Sequence, residues 1–88
     1  MTFEPVLSED LIKTLEKLSK KDRSLAIAAY KKIEQIIGLD EIEIMHFKNL
    51  KGDMKRLKRV HIGSHVLLFR VEGKKVIFES LSHHDDAY

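Results

Sequence analysis

LKRVHIGSHVLLFRVEGKKVIFESL, residues 57–81, is the stretch that decides the fold. It holds Val60 and Ile62, a break at Gly63 and Ser64, an apolar run over 66–71, a second break at 72–74 centred on Gly73, and a last run over 76–81. β-branched and aromatic residues fill the runs and a glycine marks each break, so the pattern predicts strands joined by tight turns, an antiparallel meander. Just upstream, Ile42, Ile44 and Phe47 alternate with Glu41, Glu43 and His46. That period of two predicts a short strand or extended segment leading into the meander.

The first half of the chain carries a different period. Ser8 reads as an N-cap, with Glu9 and Asp10 where the helix dipole favours negative charge and Leu7 and Ile12 spaced for a hydrophobic staple. Leu11, Ile12, Leu15 and Leu18 then recur at helical spacing, predicting a helix over about 9–18. Residues 19–22 offer a second cap. Leu25, Ala26, Ala29, Ile33, Ile36 and Ile37 form another helical stripe, which Gly38 ends. Residues 2–6 have a short β-like pattern, and Pro5 assigns them to a sheet edge. The expected architecture is α+β: an N-terminal strand, an antiparallel helical hairpin, and a twisted, mainly antiparallel sheet of three to four further strands with the hairpin on one face.

Eighty-eight residues leave room for one core, so residues 1–88 are expected to form a single domain. With 43% hydrophobic and 34% charged residues, the composition is that of a compact fold rather than a disordered tail. The absence of cysteine excludes disulfides, thiolate metal sites and thiol chemistry. No apolar run approaches the roughly 18 residues of a membrane span, and no signal pattern opens the chain, so the expectation is a cytoplasmic protein with no membrane partner. The formal charge of +2 hides an asymmetry. Residues 48–59, KNLKGDMKRLKR, hold six basic residues against the lone Asp53. A polyanion would be met there; the alternative is a solvated basic stretch without a ligand.

Five histidines, His46, His61, His65, His83 and His84, complete the inventory, the last two followed by Asp85 and Asp86. Adjacent residues on a strand point to opposite faces and no HExxH is present, so no metal is expected. No nucleophile elbow surrounds Ser64, Ser80 or Ser82, and the four glycines make neither a P-loop nor a GxGxxG; no cofactor is expected. Metal-free RNA chemistry fits what remains. A 2′-hydroxyl needs a proton acceptor, the pentacoordinate phosphorus needs cations, and the leaving 5′-oxygen needs a proton. Lysine and arginine suit the second role, and histidine, with an ordinary pKa of about 6.5, suits the others.

Strand, helical hairpin, the element Leu50-Lys51-Gly52, then Arg59-Val60-His61-Ile62-Gly63 with its following hairpin and a terminal H-x-x-x-x-Y from His83 to Tyr88 make the chain resemble the RelE/ParE superfamily of type II toxin–antitoxin toxins. The HHDxAY ending is like that of a subgroup. The resemblance implies the RelE-like fold and, for RelE-type members, metal-independent cleavage of messenger RNA in the ribosomal A site. It implies Lys51, Lys55 and Arg59 as phosphate and transition-state contacts, His83 or His84 in proton transfer, and Tyr88 in substrate positioning. Lys48, Arg56, Lys58, His61 and His65 would bind RNA, with His65 placed where a stacking aromatic often sits. Two departures stand out: Val66 occupies a position where many active members have arginine, and His84 replaces the arginine of the family's H-R ending. A missing guanidinium removes a bidentate phosphate clamp, which a charged His84 imidazole would partly replace.

The resemblance implies a cognate antitoxin, the ribosome and messenger RNA as partners, in a toxin–antitoxin hetero-oligomer when held in check. A ParE-like inhibitor of DNA gyrase, or a degenerate toxin that only binds its antitoxin, is the alternative that Val66 and His84 favour.

Overall fold

The computed structural model describes residues 2–85. Strand β1 (Glu4–Leu7) leads into helices α1 (Glu9–Lys21) and α2 (Arg23–Ile37), a short helix α3 (Glu41–Ile44), and strands β2 (Lys58–Ile62), β3 (His65–Glu72) and β4 (Lys75–His83). The sheet order is β1-β4-β3-β2. β2, β3 and β4 pair antiparallel as the expected meander, and β1 adds to β4 in parallel. Pro5 thus sits on an edge strand, where its missing N–H interrupts no central ladder.

The capping signals act as the sequence implies. The Ser8 side chain accepts from the Leu11 N–H at 3.0 Å, and its hydroxyl donates to the Glu79 carbonyl at 2.6 Å, which ties the start of α1 to β4. Ile12 is 43% exposed, so the anticipated staple does not bury it. α1 runs one turn past Leu18, with Lys20 and Lys21 at its negative end. Asp22 closes both helices: its N–H donates to the Leu18 carbonyl, and its carboxylate accepts from the Leu25 N–H. A junction of one residue makes the hairpin tight.

The expected extended segment at 42–47 is instead helical at Glu41–Ile44. Asp40 and Glu43 form a capping box, Glu43 N–H to Asp40 Oδ1 at 2.8 Å and Asp40 N–H to Glu43 Oε1 at 3.0 Å, and these reciprocal bonds outweigh the two-residue alternation. Ile44 is consequently buried while Ile42 is 74% exposed.

One core lies between the helices and the sheet, with Leu11, Leu15, Ala29, Ile33 and Ile36 packed over Leu67, Phe69, Val76, Phe78 and Leu81. Phe78 and Leu81 reach the same side although three residues separate them. The β3–β4 register explains this: it shifts between Leu68↔Ser80 and Phe69↔Phe78, leaving Glu79 as the extra residue of a bulge. The opposite face of the sheet carries a smaller cluster of Leu50, Val66 and Leu68, with Leu57 against it. No helix of the described residues is long and apolar enough to cross a membrane.

Candidate functional site

The 48–57 segment that covers this second cluster is also the basic run. It closes as a loop against β2: Arg59 N–H donates to the Lys48 carbonyl at 3.0 Å, Leu50 N–H to the Leu57 carbonyl at 2.9 Å, and Asn49 Nδ2 to the Lys55 carbonyl at 2.8 Å. Gly52 turns it at φ 69°, a conformation that a side chain would strain. Leu50 and Leu57 point inward to Val66 and Leu68, while Lys48, Lys51, Lys55 and Arg56 stay exposed. One loop therefore both seals a small core and presents charge.

Arg59 and His61 project from the open face of β2, because their cross-strand partners are Leu68 and Val66. Arg59 is half-buried and, with Asn49, Leu50, Lys51 and Met54, lines a hollow of about 420 Å³. Lys51 and Arg59 are thus brought together, and Lys55 stands on the same loop outside the hollow lining. Asn49 and Met54 join the site without having been singled out in the sequence, where neither carries a charge signal.

Lys58 does not share that face. It pairs with Phe69 on the helix side, is 5% exposed, and donates to Asn49 Oδ1 at 2.9 Å and the Phe47 carbonyl at 3.3 Å. Burial lowers its pKa from the usual 10.5. The expected role in meeting RNA is replaced by an inward anchor that holds the start of the loop.

At the far end of the open face, Arg70 is occupied by acids. Its Nε donates to Glu79 Oε1 at 3.1 Å and its Nη1 pairs with Glu72, and these carboxylates raise its pKa, Glu79 foremost. The bulge that aims Glu79 at Arg70 left no signal of its own in the sequence. Arg70 is thus neutralised within the sheet, and Lys51 and Arg59 stand at another part of this face.

The histidines His65, His83 and His84 gather at a corner of the sheet. His65 pairs with His83, their rings edge-on at 5.5 Å, and the His83 and His84 rings lie 4.6 Å apart. The alternation rule fails here because β4 ends at His83, and His84 turns back to bond the Ser64 carbonyl through its N–H at 2.9 Å and Nδ1 at 3.1 Å. His65 lies three residues along β3 from the Arg59 partner Leu68, about 10 Å, and on the other face of the sheet, since it pairs with the core residue Ile62. The imidazole corner and the guanidinium hollow thus belong to opposite faces and are not one contact set. His61, exposed and two residues from Arg59, shares the open face with it. Tyr88 and the end of the HHDxAY pattern lie outside the described residues.

No family model matches the chain. Over 89 residues it is 40% identical to the Methanocaldococcus jannaschii protein named "Putative toxin RelE4", an alignment covering 98% of this chain and 90% of that protein. Among solved structures it superposes on a chain of the YoeB–YefM complex from Staphylococcus aureus with TM-score 0.76 at 14% identity, covering 96% and 99% of the two chains. A chain of the Escherichia coli DinJ–YafQ toxin–antitoxin complex follows at TM-score 0.65 and 16% identity, covering 100% and 99%. At these identities the two structures speak to the fold, which they share over its full length.

Proposed function

The chain belongs to the RelE/ParE superfamily of toxins, and from that premise we propose that it is the toxin of a type II toxin–antitoxin pair, a single domain that cleaves messenger RNA on the ribosome in the cytoplasm. The observation that carries the reading is the hollow in which half-buried Arg59 meets Lys51 on an otherwise open sheet face. Partial burial strengthens a cation's pull on phosphate, and a planar guanidinium offers two parallel donors to the equatorial oxygens of a pentacoordinate phosphorus. Lys48, Lys55 and Arg56 hold the flanking backbone of the message.

In the reaction so proposed, a 2′-hydroxyl loses its proton and attacks the adjacent phosphorus, and the 5′-oxygen leaves with a proton. His83 or His84 moves one of these protons, Tyr88 positions the substrate, and His61 and His65 contact bases or phosphates. An RNA strand held at the hollow would have to pass round the β2–β3 turn to reach the histidine corner, since His65 and His83 lie on the helix side of the sheet.

The antitoxin is proposed to cover an apolar hollow on another side of the molecule, lined by Phe3, Ile42, Ile44, Met45 and Val71. Ile42 and Met45 are 74% and 63% exposed there, as an amphipathic partner helix would require. The YoeB–YefM and DinJ–YafQ structures are complexes of toxins with partners, which supports the pairing.

Val66 supports a second reading. It is fully buried in the cluster with Leu50 and Leu68, so the open face has no guanidinium at the position where many active members have arginine. A gyrase inhibitor or a toxin reduced to antitoxin binding fits that loss of a phosphate clamp. Primer extension on a defined message, with and without programmed ribosomes, separates the readings. New 3′ ends at A-site codons, only with ribosomes, are expected; intact message from folded protein would overturn the nuclease reading in favour of the second.

A further inference from the structure

The corner where β4 runs out has a geometry that proton transfer alone does not require. One donor atom from each of His83, His84 and Asp85 lies within 4.8 Å of the others. We infer that this corner binds a divalent transition-metal ion of the zinc type through His83 Nδ1, His84 Nε2 and the Asp85 carboxylate. The site stands apart from the nuclease reading, because it rests on ligand geometry and not on any step of cleavage.

Each ligand is already oriented. The Ser64 carbonyl can only accept, so the His84 nitrogen 3.1 Å from it, Nδ1, carries a proton, and Nε2 is the ring nitrogen turned towards the carboxylate and offered to an ion. That Nε2 lies 3.0 Å from Asp85 Oδ1. A backbone carbonyl behind the distal ring nitrogen is the usual support of a metal-ligating histidine. For His83, the Asp85 N–H donates to Nδ1 at 3.3 Å, which turns the Nδ1 lone pair into the same turn, and Asp85 Oδ2 lies 3.5 Å away. The His65 ring, edge-on at 5.5 Å, backs His83 from the sheet side.

The distances fit an ion with little movement. Bonds of about 2.0–2.1 Å in a tetrahedron set neighbouring ligand atoms about 3.3–3.4 Å apart. Asp85 faces His84 Nε2 with Oδ1 at 3.0 Å and His83 Nδ1 with Oδ2 at 3.5 Å, so a small turn of the carboxylate and a closing of the ligand atoms from within 4.8 Å would bring all three onto one ion. The ion displaces the weak Asp85 N–H contact on His83. Two neutral imidazoles and one carboxylate favour zinc, copper or nickel over magnesium or calcium, which take oxygen ligands. Side-chain exposures of 42%, 52% and 72% for His83, His84 and Asp85 leave the remaining coordination position to water. Loading would fill the lone pairs that a proton-transferring His83 or His84 needs.

The test uses the whole chain without a purification tag, stripped with chelator and desalted. Zinc chloride is titrated calorimetrically to about 100 µM, and cobalt(II) is followed by its visible absorption. One saturable ion per chain is expected, with cobalt bands of low-symmetry, four-coordinate intensity. Asp85→Asn and His84→Ala should each weaken binding at least about tenfold, while His46→Ala, outside the corner, leaves it unchanged. Asp85 is exposed, so its substitution keeps the chain folded, which circular dichroism verifies. Absence of saturable binding, binding indifferent to Asp85→Asn and His84→Ala, or binding lost in His46→Ala would each overturn the site.

Discussion

Strand β3 has two faces with different covers. Leu67 and Phe69 point to the helices and meet a stripe prepared for them on α1 and α2. Val66 and Leu68 point the other way and meet only Leu50 and Leu57 from a loop whose outer side is cationic. The first face is held by two regular elements with a 3.6-residue period. The second is held by a closed loop that carries both inward apolar and outward cationic residues, so on the proposed function stability and chemistry are coupled there and separable on the first face.

Phe69→Ala should break this comparison most severely. Its ring is fully buried, set edge-on to Phe47 at 5.4 Å and against Phe78 at 5.8 Å. Truncation costs about 3–5 kcal/mol. A domain of this size has about 5–15 kcal/mol in all, so urea denaturation should find little or no folded baseline. A cooperative transition near the wild-type midpoint would show that the helix-side core is not what holds the sheet.

Arg59→Ala probes the open face. Loss of a preorganised cation at a developing phosphorane should lower the cleavage rate about 10²- to 10³-fold, equivalent to about 2.7–4 kcal/mol. Lys51→Ala should slow cleavage as well and shift stability by no more than about 0.5 kcal/mol, because its side chain is exposed. Single-turnover cleavage on programmed ribosomes, set beside the urea midpoint, checks both. Equal rates for wild type and Arg59→Ala would remove Arg59 from the chemistry.

Leu50→Ala tests the coupling itself. Leu50 is 9% exposed and belongs to a cluster of only three buried residues, so the loss should sit near about 2 kcal/mol, the low end for a buried leucine. Because the loop also presents Lys51, cleavage should fall along with stability. A stability loss with unchanged cleavage would show that the loop holds its cations without its apolar anchor.

Much of this arrangement is legible in the chain. Runs broken at Gly63 and Gly73 give the meander, both of these glycines have φ near 60°, and Ser8 and Asp22 cap the helices. The 42–47 segment misleads because a four-residue helix has no room to display its period, although the Asp40-x-x-Glu43 box marked it. In the candidate site the basic run is visible as composition, but which side each cation faces depends on the register of β2 against β3. The histidine corner is hidden for a related reason: alternation holds only within a strand, and β4 stops one residue before His84.

Lys58 gives the smallest and most selective test of the two faces, since it is adjacent to Arg59 in sequence and opposite to it in the sheet. Burial sets its folded pKa below the 10.5 of an exposed lysine. At pH values under the folded pKa both states hold the proton, and the burial penalty on the folded state is constant. Between that pKa and 10.5 the unfolded chain binds more protons than the folded one, so this group makes stability rise with pH. Lys58→Met removes the titration and leaves Asn49 Oδ1 and the Phe47 carbonyl without their donor. The stability of wild type relative to Lys58→Met, from urea curves at successive alkaline pH values, should therefore increase towards pH 10.5. Parallel profiles for Lys58→Met and wild type would mean that Lys58 meets solvent, and would return it to the cations available for RNA.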